Sequence, residues 1–189
     1  MTRKHWDLFM TAGGGIVASD SFNRPSSDVS LGNADTGQTW TALSGTWGIK
    51  LDTVGHLVSG SNGRVYIEAG ISNCIISVKY PWNGTSNIGL IIRLLNASNY
   101  LIVKQISMGY QLSKFVAGVE TALGSYTGGA PAANDVIKVK CVDENIIVYV
   151  NGTERINASV SDHKANTKYG LFVNSDPWLY FDDFKVEAI

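Results

Sequence analysis

Carboxylates set among apolar residues are the first features of this chain that could do chemistry. Asp182 and Asp183 lie together in "YFDDFKV". Successive side chains of a strand point to opposite faces, so Asp182 shares a face with Tyr180, Phe184 and Val186, and Asp183 shares the other with Phe181 and Lys185. One acid therefore falls on an apolar face unless a bulge changes the parity. Asp20 poses the same problem, in register with Ile16, Ala18 and Phe22. A carboxylate out of water needs a backbone N–H, a cation or a metal, because desolvating it alone costs several kcal/mol. Backbone capping or a salt bridge to Arg24 is the expected partner. A structural Ca²⁺ clip joining the first and last strands through Asp20 or Asp182 is the alternative, and no metal or other cofactor is assigned.

Catalytic patterns are missing. Glu68, Glu120, Glu154 and Glu187 are isolated from other acids, and Glu144 follows Asp143 in what reads as a turn. His5, His56 and His163 are scattered, and there is no Gly-x-Ser-x-Gly elbow or His-Glu-x-x-His pair. The chain is expected not to be an enzyme. Residues suited to contact a ligand remain: Trp82 in "YPWNGTSN" and Trp178 in "NSDPWLY" read as loop aromatics able to stack on sugar rings. Arg93, with its fork of donors, and Lys104 fall on strands neighbouring in sequence, with Tyr100 at the hairpin between them. The expected ligand-binding set is Trp82, Arg93, Tyr100 and Trp178.

The elements that must position these residues are strands. Apolar residues make up 44% of the 189 and charged residues only 16%, enough for one well-filled core. Beyond Gly15 the pattern has period two, with turn residues at regular intervals, and no helical periodicity of useful length. Strands are expected at Ile16–Phe22, Thr46–Lys50, His56–Ser59, Val65–Ala69, Cys74–Tyr80, Ile88–Leu94, Tyr100–Ile106, Tyr110–Val116, Val136–Val142, Ile146–Val150, Tyr169–Val173 and Leu179–Val186. In "NIGLIIRLL" the alternation puts Ile88, Leu90, Ile92 and Leu94 on one face and Arg93 on the other, leaving the core. "NIIVYVNG" reads as a central strand turning at Asn151-Gly152, a strong hairpin signal.

Charge and cysteine usage narrow the partners. The formal net charge is -1, and no basic cluster exists beyond Arg3-Lys4, so nucleic acid is not an expected ligand. Two cysteines, Cys74 and Cys141, sit in apolar alternating stretches and read as buried thiols. Asp7 and the Gly13-Gly14-Gly15 run interrupt any signal-peptide core, and no membrane span is expected. Asn-x-Ser/Thr triplets at Asn83, Asn96, Asn151 and Asn157 read as turn chemistry.

Four stretches carry a family resemblance: "SDSFNR" with the following "SLGNADTGQTWTALSGTWGI", "GLIIRLLNASNYLIVKQI", "IIVYVNGTERI" and "YGLFVNSDPWLYFDDFKVEAI". In order and spacing they resemble the concanavalin A-like lectin/glucanase jelly rolls, in the laminin-G-like branch found in carbohydrate-binding modules and in bacteriophage structural and tail proteins. The resemblance implies an all-β, two-sheet antiparallel jelly-roll sandwich over residues 16–189, with first and last strands side by side and a concave face that often meets sugars. Trp40 and Trp47 would then be packing residues, Trp47 covering one end of the core. The family's glucanases carry a Glu-x-Asp-x-Glu strand, which is missing here. The expected role is a non-enzymatic phage virion component, a tail or head-fibre protein used for assembly or host-surface glycan adhesion. Its expected partners are cell-surface polysaccharide and other virion proteins or copies of itself, reached through an N-terminal extension, residues 1–15, that presents Trp6, Leu8, Phe9 and Met10. A bacterial carbohydrate-binding module is the second reading, and a glycoside-active enzyme the third.

Overall fold

The structure is a computed structural model that describes residues 14–81, 88–174 and 178–189. Residues 1–13, and with them the proposed anchor residues Trp6, Leu8, Phe9 and Met10, lie outside the described residues, as does Trp82. Thirteen strands follow in order: β1 Ile16–Asp20, β2 Thr41–Lys50, β3 Val54–Glu68, β4 Cys74–Tyr80, β5 Ile88–Asn96, β6 Asn99–Ile106, β7 Gly109–Val116, β8 Val119–Tyr126, β9 Asp135–Val142, β10 Asn145–Val150, β11 Thr153–Ser159, β12 Lys168–Val173 and β13 Tyr180–Ala188.

All pairings between them are antiparallel. A back sheet runs β11-β10-β9-β4-β13-β1, and a front sheet runs β2-β3-β12-β5-β6-β7-β8. Their inner faces enclose one apolar cluster, to which the front sheet sends Val65, Leu90 and Val103 and the back sheet Ile76, Val139 and Val148. The result is the all-β jelly-roll sandwich. Strand β13 belongs to both layers: Tyr180 and Phe181 pair with β3 of the front sheet, and Asp182 to Ala188 with β4 of the back sheet. On its other side it pairs with β1, so the terminal strands lie together.

Local chemistry explains the carboxylates. Asp183 has φ of 51° and the ladder to β4 shifts register there, so a bulge turns it to solvent while Phe181 and Phe184 both stay in the core. Asp182 accepts from Lys79 Nζ at 3.0 Å. Asp20 is buried and fully occupied: its Oδ1 accepts from Phe22 N at 2.8 Å and Arg24 Nη1 at 2.7 Å, and its Oδ2 from Arg24 Nη2 at 2.7 Å and Trp40 Nε1 at 2.6 Å. Four donors fill the lone pairs of one carboxylate, so Asp20 does not fit a Ca²⁺ ligand. Among the described residues, no group of three His, Cys, Asp or Glu side chains could hold a metal ion.

Trp40 therefore packs and donates at once, with Phe22 and Phe184 against its ring at 5.9 and 5.0 Å between centroids. Trp47 is buried against Phe181 at 6.0 Å, and its indole N–H donates to Ser44 O at 3.1 Å. Both indoles of the Thr/Gly-rich stretch are core residues.

Cys74 and Cys141 are register partners on β4 and β9, both fully buried as free thiols. Burial pushes them up to about 11 and about 12 respectively, so they stay protonated at neutral pH. Beside them the structure reverses one expectation. Arg93 does not leave the core: it has φ of 52°, and the β5–β12 register shifts between Ile91 and Leu94, a bulge that resets the alternation. Its side chain is fully buried, with Nη2 3.3 Å from Ser72 O, and its charge acts on both cysteines. Arg93 is an interior residue and cannot meet a ligand at the surface.

Candidate functional site

The outer face of the front sheet carries the site. Cross-strand register places one row of outward side chains across the strands: Arg64 on β3 opposite Phe172 on β12, Phe172 opposite Gly89 on β5, Gly89 opposite Lys104 on β6, and Lys104 opposite Gln111 on β7. The next row runs Tyr66, Gly170, Ile91, Ile102 and Ser113. Both rows have a glycine in the middle strands. At Gly89 an added Cβ would sit 2.8 Å from Ile102 Cδ1, and at Gly170 it would sit 2.0 Å from Val65 O, so Gly170 also lets β12 approach β3. Neither position has room for a side chain, so the middle strands pack closely between the aromatic and cationic flanks.

A second apolar cluster, distinct from the sandwich core, underlies this face: Ile91, Leu94, Tyr100 and Ile102 are buried, with Tyr66, Phe115 and Phe172 packed against them. Tyr100 and Phe115 stack at 4.5 Å with 11° between planes. Arg64 lies across this floor, its guanidinium carbon 5.3 Å from the Tyr100 ring centre and 5.6 Å from that of Phe172. Two rings hold the guanidinium plane in place, each cation–π contact contributing on the order of 0.5–1 kcal/mol. Lys104 Nζ is 2.5 Å from Glu120 Oε1. Burial works to raise the Glu120 pKa, but hydrogen bonds from Lys104 and Ser113 and the Lys104 charge outweigh it and hold Glu120 below the ordinary carboxylate value. Burial likewise raises the Tyr100 pKa, with the Arg64 charge and hydrogen bond opposing, so its phenol stays neutral. Asn62 and Asn174 close the margin of a cleft of about 310 Å³ that contains Arg64, Tyr100, Lys104, Glu120 and Phe172.

Of the four residues expected to bind ligand, Trp82 lies outside the described residues and the other three are not brought together. Tyr100 belongs to the cleft but is its floor, 1% exposed, rather than a free platform. Arg93 is interior. Trp178 is 64% exposed and lines a different, apolar depression of about 550 Å³ with Leu51, Val54, Pro81 and Tyr180, with Lys50 Nζ 5.8 Å from its ring centre. Sequence reasoning passed over Arg64, Phe172 and Phe115. Their signal was the second face of each alternating strand: "RVYIE", "YLIVK" and "KYGLF" each place an aromatic or a cation at every outward position except Gly170, Ile102 and Glu68.

No protein-family model matches the sequence, and no curated protein matches it. Solved structures do match the fold. The carbohydrate-binding module CBM66 from Bacillus subtilis superposes with a TM-score of 0.66 at 17% identity, over 79% of this chain and 95% of that one. Domain 4 of AbnA, a GH43 extracellular arabinanase from Geobacillus stearothermophilus solved with arabinotriose, gives 0.58 at 14% identity over 93% of both chains. The Bacillus licheniformis β-glucanase gives 0.59 at 14% identity, over 93% of this chain and 99% of that one. At these identities the likeness is one of fold, a jelly-roll sandwich used by both sugar-binding modules and glycosidases.

Proposed function

We propose that the chain is a non-catalytic carbohydrate-binding domain whose binding site is the cleft on the outer face of the front sheet. The observation that carries this reading is the Arg64 guanidinium held against Tyr100 and Phe172 within that cleft. Sugar rings have apolar C–H faces and hydroxyl rims, so a cleft that binds them needs aromatic surface beside fixed donors. Phe172 supplies the first and Arg64 the second. The volume of about 310 Å³ suits one or two sugar units.

Hydrolysis is disfavoured by the same residues. It requires two carboxyl groups roughly 5–9.5 Å apart across the scissile bond. Among the described residues lining the cleft, Glu120 is the one acid, and it is committed to Lys104. The virion role expected from the sequence gains no support from the structural relatives, which bring the sugar-binding reading forward instead.

The test is affinity electrophoresis or calorimetry against a panel of soluble polysaccharides, β-glucan and arabinan included. Phe172→Ala should weaken binding about fivefold to tenfold, since a lost stacking ring costs roughly 1–1.5 kcal/mol. Far-UV circular dichroism should be unchanged. Wild-type protein that binds no glycan of the panel, or a Phe172→Ala variant that binds like wild type, would sink the assignment.

A further inference from the structure

Charge accounting within the cleft carries the reading one step further. Lys104 and Glu120 neutralise each other at 2.5 Å. Lys114, on the same strand as Gln111, is paired with Asp162 at 2.6 Å. Among the described residues no carboxylate lies within ion-pair distance of Arg64. Its Nε is buried without an acceptor, so its hydrogen bond to the Tyr100 phenol comes from a terminal nitrogen, and the remaining terminal N–H groups are the part of the fork that can meet a ligand. Two outward positions further along β12 from Phe172, Lys168 lies 5.1 Å from the Tyr66 ring centre, again held by an aromatic ring. Its cross-strand neighbour Glu68 turns away to accept from Gly70 N at 3.1 Å. The cleft thus has a local charge of about +1 inside a chain whose formal net charge is -1, so the positive site is not a reflection of bulk composition.

Arg24 makes the contrast. It meets Asp20 through two parallel hydrogen bonds of 2.7 Å, the geometry in which a guanidinium matches a carboxylate. Arg64 has its plane fixed by two rings and lacks that partner.

We propose that the cleft selects acidic glycans, with a uronic acid carboxylate taken by the Arg64 fork while the sugar ring lies along Phe172. The inference rests on the sugar-binding reading above. It commits to a carboxylate rather than a sulfate ester because a planar fork pairs with a planar two-oxygen group through two parallel bonds.

The test uses the full chain with polygalacturonate, alginate and glucuronoxylan, each beside its carboxyl-reduced form, which keeps the polymer and removes the charge. At least one native polymer should bind tenfold or more tightly than its reduced counterpart, and the difference should shrink as salt rises. Arg64→Gln should collapse that ratio to about one, while Arg64→Lys, which keeps charge but loses the fork, should restore only part of it. Equal binding of native and reduced forms, or binding of neutral glycans alone, would overturn the acidic preference and leave the sugar-binding reading standing. Retention by dextran sulfate with none by the uronates would overturn the carboxylate assignment. Absence of binding to every glycan, acidic or neutral, would remove both readings together.

Discussion

Removing the Asp20 carboxylate should destabilise the sandwich by an amount the contacts allow to be worked out. The side chain is wholly buried and receives four hydrogen bonds, two from Arg24, one from the Trp40 indole and one from the Phe22 amide. Breaking a buried ion pair by deleting one partner typically costs about 3–5 kcal/mol. Arg24 retains 22% side-chain exposure and can recover part of its hydration, which favours the lower end. The Trp40 N–H cannot, and a stranded buried donor accounts for about 1–3 kcal/mol of that total. Taking about 3–4 kcal/mol, and about 2–4 °C per kcal/mol for a domain of this size, Asp20→Ala should melt about 6–16 °C below wild type. The assay is thermal unfolding by circular dichroism, with Asp20→Asn and the double variant Asp20→Ala/Arg24→Ala alongside. Asn keeps the shape and one acceptor and should fall between. The double variant should cost clearly less than the two single changes summed, since they share one interaction. Added EDTA or Ca²⁺ should leave the melting temperature unmoved, because no lone pair of Asp20 is left for a cation. An Asp20→Ala protein melting within about 2 °C of wild type, or a Ca²⁺-dependent wild-type transition, would refute the reasoning.

Other outcomes follow from residues already described. Deleting Tyr180–Ile189 should abolish cooperative folding, because it removes Phe181, Phe184 and Val186 from the core and strips partners from three strands; a soluble truncated chain with a sharp melting transition would contradict this. Cys74 and Cys141, pushed up to about 11 and about 12 by burial, should resist a thiol reagent at pH 8 in the native protein and react at once in denaturant; rapid native labelling would show that they are accessible. Glu120 is held below its ordinary value, so its contribution to stability is present above the unfolded-state pKa and is lost as pH falls through the lower folded-state value. Stability should therefore decline as pH falls below about 4.5, and Glu120→Gln should flatten that part of the profile; an unchanged slope would deny the Lys104–Glu120 pair its role.

Period-two alternation and turn residues made most of the strands readable, down to the Asn151-Gly152 hairpin, where both residues have positive φ of 50° and 79°, while the pairing of the first and last strands came from the family resemblance. Two strands escaped. β8 and β11 are the outer strands at the end where the two sheets meet, and β11 buries only Ile156 while β8 buries none of its residues completely. Their conformation is dictated by ladders to β7 and β10, which leave no mark on hydrophobic pattern. Bulges were the other hidden variable. The possibility of one at Asp182-Asp183 followed from a parity conflict visible in the residues. The one at Arg93 did not, because a cation on the expected outer face gave no conflict to resolve, and a strand's parity beyond an unseen bulge is lost. The cleft was obscured for a related reason. Attention went to tryptophans between strands, whereas the site is assembled from single residues two apart on strands distant in sequence, and only the register aligns them.

The dual allegiance of β13 has a consequence for how the protein is made. The strand that joins back sheet to front sheet, and that covers β1, β4 and β3, is the last of the described strands to be synthesised. Until it emerges from the ribosome, β1 has no neighbour and β4 lacks one of its two, so a nascent chain carries unpaired ladder edges and a half-covered apolar face. Most of the domain's contacts are distant in sequence, a topology that folds slowly. The nascent domain must therefore be kept from pairing with other chains until β13 is made, and variants that weaken β13 should reveal themselves in the yield of soluble protein before they do in any property of the folded molecule.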